Sequence, residues 1–151
     1  MRPDEPAVRR FLAASMIVRL ATLSAKGRPE ITPLWFVSHG GRIYMATGAS
    51  SLAVRNVAAN AQIVLLFHGE RSRRSGQVLR IQGRANFRRG IRHPAILRFA
   101  PKYYLSLGAI RDMLAHWQQL PLSRRYHRQT PEGGLIEVVP ESAEFLPALP
   151  R

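Results

Sequence analysis

The sequence predicts a mainly β fold (β+α), six antiparallel strands closing into a barrel with peripheral helices, on three observations. From residue 18 to residue 67, short apolar segments follow one another without an unassigned gap. Turn chemistry at Lys26-Gly27-Arg28-Pro29 and at Gly40-Gly41 separates the first three segments. Residues 61–67 are an apolar run interrupted only by Gln62, as expected of a strand interior to a barrel. At 151 residues the chain is about one domain, residues 1–151, with no internal repeat or linker.

The elements follow in order. Asp4 stands as an N-cap before Glu5-Pro6-Ala7, and Val8, Phe11, Leu12 and Ser15 recur at helical spacing, which predicts a helix over about residues 5–14. Residues 17–23 and 31–37 are dense in apolar and β-branched side chains and should pair as an antiparallel hairpin. In the third strand Ile43, Met45 and Thr47 share one face, and Tyr44 and Ala46 the other. Ser50 and Ser51 then cap a helix of about two turns carrying Leu52, Val54, Val57 and Ala58 and ending near Asn60. Residues 61–67 form the fourth strand, covered on both faces. Residues 77–87 alternate Val78, Arg80, Gln82 and Arg84 with Leu79, Ile81, Gly83 and Ala85, a fifth strand with one polar face. Residues 94–100 make a short helical segment. Residues 109–120 make a longer helix whose stripe of Ile110, Met113, Leu114 and Trp117 should pack on the barrel or on a partner subunit. Gly133-Gly134 opens the sixth strand, residues 135–139, before Pro140 and a tail containing Glu144-Phe145-Leu146.

Composition narrows the chemistry. The chain has no cysteine, so thiolate catalysis, disulfides and cysteine-ligated metals are excluded, and redox chemistry would need a bound organic cofactor. No run approaches the roughly 18 apolar residues of a membrane span, and MRPDEPAVRR carries two early acids and no apolar signal core, so a cytoplasmic protein is expected. The formal charge of +14, nearly all from arginine, favours an anionic partner. Local clusters occur at residues 71–74, 88–89 and 124–128. No zinc-finger spacing, aromatic RNA-binding motif or lysine-rich tail accompanies them, so nucleic acid is not the expected partner and a solvated arginine surface accounts for most of the charge. His68, His93, His116 and His127 are scattered without metal-ligand spacing, and Ser38-His39 has no carboxylate placed in sequence to orient the imidazole. Tyr103, Tyr104 and Tyr126 could stack on a substrate or serve structure alone. No catalytic residue is identified.

The order of strands, turns and short helix from about residue 17 to residue 85 resembles the flavin-binding split β-barrel family typified by pyridoxamine 5′-phosphate oxidase and its deazaflavin-using relatives. The resemblance implies a split β-barrel, a homodimer with cofactor clefts at its interface, and FMN or the deazaflavin coenzyme F420 as cofactor. It also implies that Thr32, Pro33, Leu34 and Trp35, continuing into Phe36, run along the ring. Trp35 and Phe36 point to opposite faces of a strand, so at most one can face it, and both can equally be core or interface aromatics. Ala46, Thr47, Ser50 and Ser51 would form the anion site, where a strand end meets a helix N-terminus. Either serine can also be a cap and nothing more. Relatives of this kind carry an arginine and a lysine after the position of Ser51, where this chain has Leu52 and Ala53. Arg55, Arg80 or Arg84 would then supply the charge, or the cofactor differs, or the site has lost its ligand. The activity implied is hydride transfer to or from a small organic substrate by a flavin- or deazaflavin-dependent oxidoreductase; the alternatives are a non-enzymatic flavin, haem or tetrapyrrole binder and a basic nucleic-acid-binding or assembly protein.

Overall fold

The computed structural model describes residues 1–72, 76–90, 94–99, 102 and 133–147. The chain runs α1 (Pro6–Ala13), β1 (Val18–Leu23), β2 (Pro29–Leu34), β3 (Phe36–His39), β4 (Arg42–Gly48), α2 (Leu52–Ala59), β5 (Gln62–Phe67), β6 (Val78–Arg89), a 3₁₀ helix (Pro94–Arg98) and β7 (Gly133–Leu146). The helix expected over residues 109–120, with Tyr103, Tyr104, Tyr126, His93, His116 and His127, lies outside the described residues. All strand pairings are antiparallel, in the order β2-β1-β5-β6-β7-β4-β3.

Among the described residues there are seven strands rather than six because the segment expected as one strand is divided at Trp35. Residues 29–34 pair with β1, whereas residues 36–39 pair with β4 at the opposite edge of the sheet. One residue therefore joins the two edges, and the sheet must curl until they meet. Its inner face becomes a core of Leu20, Phe36, Met45, Leu65, Ile81 and Ile136, each fully buried. The Phe36 and Phe67 rings meet edge to face at 4.8 Å inside it.

Two helices close the barrel. α1 buries Val8, Phe11 and Leu12, the stripe read from the sequence, and Phe11 meets Phe145 edge to face at 5.2 Å. Its N-cap is Glu5 rather than Asp4, because Pro6 takes the first helical position, and Asp4 instead pairs with Arg2. Ser15, fully buried, donates to the Phe11 carbonyl at 2.9 Å and accepts from the Gly69 amide at 3.1 Å, which ties the end of α1 to the loop after β5. α2 turns Ala53, Val54, Asn56 and Val57 into the core. There the Asn56 Nδ2 donates to Thr22 Oγ1 at 3.0 Å, a buried polar pair that satisfies itself.

Two strands depart from their expected form. β5 is buried on one face only: Val64 and Leu66 are half-buried on the outer face, because no described element packs over them. β7 continues through Pro140 to Leu146, since a bulge absorbs the proline. Gln82 lies opposite Ser142 while Gly83 lies opposite Pro140, so Glu141 is the extra residue. The bulged strand comes so close that a Cβ on Gly83 would stand 2.5 Å from the Val139 carbonyl oxygen. Gly83→Ala should therefore lower stability by ~1–3 kcal/mol, read from the urea midpoint. Gly48→Ala, where a Cβ meets nothing within 4 Å, should be nearly neutral. Equal midpoints for the two variants would contradict this close approach.

Candidate functional site

β4 runs directly into α2 at one end of the barrel. The Ser51 amide donates to the Gly48 carbonyl at 3.1 Å, a tight turn. Ser51 itself is the N-cap, in extended conformation, and its Oγ accepts from the Val54 amide at 3.3 Å. Because Asn56 and the apolar face anchor α2 on β1 and β6, the positive end of the helix is held beside the end of β4. Thr47 and Ser51 are half-buried and Ser50 is exposed. Gly48 pairs with Gly133, and a Cβ on either meets nothing among the described residues within 4 Å, so no described side chain crowds the end of the sheet next to the first turn of α2.

The end of β2 comes to the same place. Phe36 is the register partner of Met45, so Trp35 and Leu34, one and two residues earlier, run past Ala46 and Thr47, and β2 touches β4 here. Thr32 and Leu34 are half-buried on the inner face, Pro33 is exposed on the outer one, and Trp35 is 48% exposed while Phe36 is fully buried. Of the two aromatics, Trp35 is the one that reaches the surface. Thr32, Pro33, Leu34, Trp35, Ala46, Thr47, Ser50 and Ser51 thus lie on neighbouring segments at one end of the barrel.

The basic residues divide. Arg55 lies one turn along α2, exposed like Leu52. Arg80 lies elsewhere: Thr47 is in register with Gly134 and, beyond it, with Arg89, and the stretch from residue 80 to residue 89 spans roughly 30 Å at the strand rise. Arg80 moreover pairs with Glu144 on the outer face, and Arg84 shares that face. The arginine that register brings near Thr47 is Arg89, two strand spacings away or roughly 10 Å, on the same inner face. The signal for it was the alternation of β6, which continues two residues beyond Phe87. The uncharged pair also separates: Leu52 is 43% exposed, but Ala53 is 1% exposed and packs in the core, where a lysine head could not stay hydrated.

Two further polar groups were not legible in the sequence. Glu137, 2% exposed on β7, is held between Arg42 and Arg88, which reach it from β4 and β6. Lys102 donates to the Phe36 carbonyl at 3.1 Å and stands 3.3 Å from the centre of the Phe36 ring, while Arg98 donates to the Ser38 carbonyl at 3.5 Å. Burial, with a smaller contribution from Arg71 and against the pull of Glu70, brings the Lys102 ammonium down to about 8 from 10.5. Burial and then Arg19 hold the His68 imidazole below its ordinary value, with Glu70 opposing.

A family profile described as pyridoxamine 5′-phosphate oxidase matches residues 4–104. Among solved structures, a candidate pyridoxamine 5′-phosphate oxidase from Listeria innocua is 18% identical, with a TM-score of 0.61 over 93% of this chain and 95% of that one. HutZ, the haem storage protein of Vibrio cholerae, is 18% identical, with a TM-score of 0.60 over 98% of this chain and 96% of its own. An F420 reductase is 17% identical, with a TM-score of 0.56 over 89% and 93%. At these identities the likeness is one of fold. No curated protein sequence matches the chain significantly.

The lowered Lys102 pKa makes stability depend on pH with a definite sign. Between about 8 and 10.5 the unfolded chain binds a proton that the folded one has lost, so the Lys102 contribution to stability rises with pH across that window. Urea midpoints of the wild type should climb more steeply over this range than those of Lys102→Met. Identical slopes would mean that Lys102 is not buried against Phe36 as described.

Proposed function

The chain belongs to the pyridoxamine 5′-phosphate oxidase family, and on that premise we propose that it is a flavin- or deazaflavin-dependent oxidoreductase that transfers a hydride to or from a small organic substrate. The observation that carries this reading is the junction of β4 with α2, where hydroxyls, first-turn amides and the positive helix end come together beside Gly48 and Gly133, with no described side chain over either glycine. That donor set fits an anionic phosphate. FMN or F420 would supply the hydride-carrying ring and the phosphate tail.

The chain's own residues would bind and orient. Thr47, Ser50 and Ser51 hold the phosphate with the first amides of α2, and Arg55 and Arg89 supply the charge that Leu52 and Ala53 do not. The main chain of Thr32, Pro33 and Leu34 lines the ring edge, with Trp35 covering one side and Ala46 the floor. Because the ring carries the electrons, the protein needs only to align ring and substrate and to exclude water; an acid–base pair is not required. We assign no catalytic residue.

The missing wall of so shallow a site is supplied by a second copy. Ile31 (61% exposed), Ala21 and Val64 form an apolar band across β2, β1 and β5 on the outer face, and Leu23 flanks it at 39% exposed. A homodimer through this band would cover it. The absence of charge at positions 52 and 53 favours a second reading, a non-enzymatic haem or tetrapyrrole binder; HutZ, of like fold, is described as a haem storage protein.

Purified protein should be yellow and release a fluorescent flavin on denaturation, or take up FMN or F420 in titration; a Soret band with no flavin would turn the assignment to the second reading. Arg55→Ala and Arg89→Ala should each raise the FMN dissociation constant about tenfold, as loss of a charge-assisted contact of ~1.5–3 kcal/mol implies, whereas Arg80→Ala should leave it unchanged. Leu52→Arg should tighten binding, while Ala53→Lys should fail on stability because its side chain enters the core. Light scattering should give a dimer, and Ile31→Asp a monomer. A monomeric wild type would rule out a shared cleft.

A further inference from the structure

At the opposite end of β4 from the α2 junction, the barrel opens into a cavity of about 460 Å³ between α1, the β3–β4 hairpin and the 3₁₀ helix. That volume lies within the range of small-ligand sites. Its rim is cationic. Arg9 from α1, Arg98 from the 3₁₀ helix, Arg42 from β4 and His39 from β3 all face it. The neutralising groups are few. Asp4 is held by Arg2 at 2.8 Å, and Glu137 is divided between Arg42 and Arg88. Arg9 has no ion-pair or side-chain hydrogen-bond partner among the described residues, and Arg98 reaches only the Ser38 carbonyl. The Nδ1 of His39 is buried and has no hydrogen-bond partner there either. A buried polar atom without a partner in the chain is uncommon in a folded protein and calls for one from outside it, a water or a ligand atom. The floor is apolar, made by Leu12, Ile43 and Pro140.

The geometry points to a second binding site in this cavity, for a small amphipathic carboxylate whose head lies between Arg9, Arg98 and His39 and whose hydrocarbon part rests on Leu12, Ile43 and Pro140. Arg42 contributes field rather than a direct contact, because its guanidinium is engaged by Glu137. The distance from Arg42 to Thr47 along β4 is roughly 17 Å at the strand rise, so a molecule here leaves the α2 junction open. The site does not depend on whether the chain binds a flavin.

Calorimetric titration of the full chain with octanoate tests it, with octanamide as the neutral isostere and FMN as competitor. Expected are one equivalent of octanoate bound, no measurable octanamide binding, and the same octanoate affinity with FMN present. Arg9→Ala and Arg98→Ala should each weaken octanoate about tenfold, Arg9→Lys less so, with unchanged far-UV circular dichroism since both arginines are exposed. His39→Phe, which removes the Nδ1 donor, should weaken it as well. Wild type that does not bind octanoate, binds octanamide equally well, loses octanoate to FMN, or retains its affinity after the Arg9 and Arg98 substitutions would overturn the proposal.

Discussion

One residue, Trp35, joins the two edges of a seven-stranded sheet, and the rest of the architecture depends on that connection. Strands β2 and β3 stand at opposite ends of the pairing order, yet they are consecutive in the chain. No flat or gently twisted sheet can satisfy this. The sheet has to roll, and rolling creates an inner face that only apolar side chains can fill, two open ends that α1 and α2 occupy, and a seam where β2 passes β4. The junction of β4 with α2 lies beside that seam, so the segment from Thr32 to Trp35 and the segment from Ala46 to Ser51 meet although neither pairs with the other along its length.

Charge follows the same division between inside and outside. The inner face of β6 carries Leu79, Ile81 and Ala85, and its outer face carries Arg80, Gln82 and Arg84. Most of the described arginines are therefore solvated, as their scatter along the sequence suggests. The exception is the trio of Arg42, Glu137 and Arg88, where a carboxylate excluded from water is retained because guanidinium groups reach it from both neighbouring strands. It ties β4, β7 and β6 together across the outer face, beside a second buried cluster of Val37, Tyr44, Ala95 and Leu135.

What could be read from the sequence was what local periodicity encodes. The buried face of α1, the Ser51 cap of α2 and the alternation of β6 each follow from spacing within one element, and each is present. The break at Trp35 was illegible because no turn residue marks it: the backbone stays extended and only its hydrogen-bonding partner changes. The passage of β7 through Pro140 was hidden because a bulge is a property of two strands, made possible by Gly83 on the other one. At the site, the cap and hydroxyls were legible for the same local reason. Arg89 was not, since its nearness to Thr47 depends on two successive registers, and Arg80, chosen from the polar face of the right strand, lies at the wrong end of it. The burial of Ala53 likewise depends on which face α2 turns inward, and it limits which family contacts this chain could regain.

A rolled sheet that does not close its hydrogen-bond ladder keeps two margins, and among the described residues these are β2 and β3; the second of them is guarded. The carbonyls of Phe36 and Ser38, alternate residues along that strand, are taken by Lys102 and Arg98. A strand from another molecule seeking to add itself there would meet acceptors already engaged and two cations to displace, one of them stacked on an aromatic ring. The guard on β3 therefore carries its full charge only below about pH 8, and weakens as the medium turns alkaline and Lys102 gives up its proton.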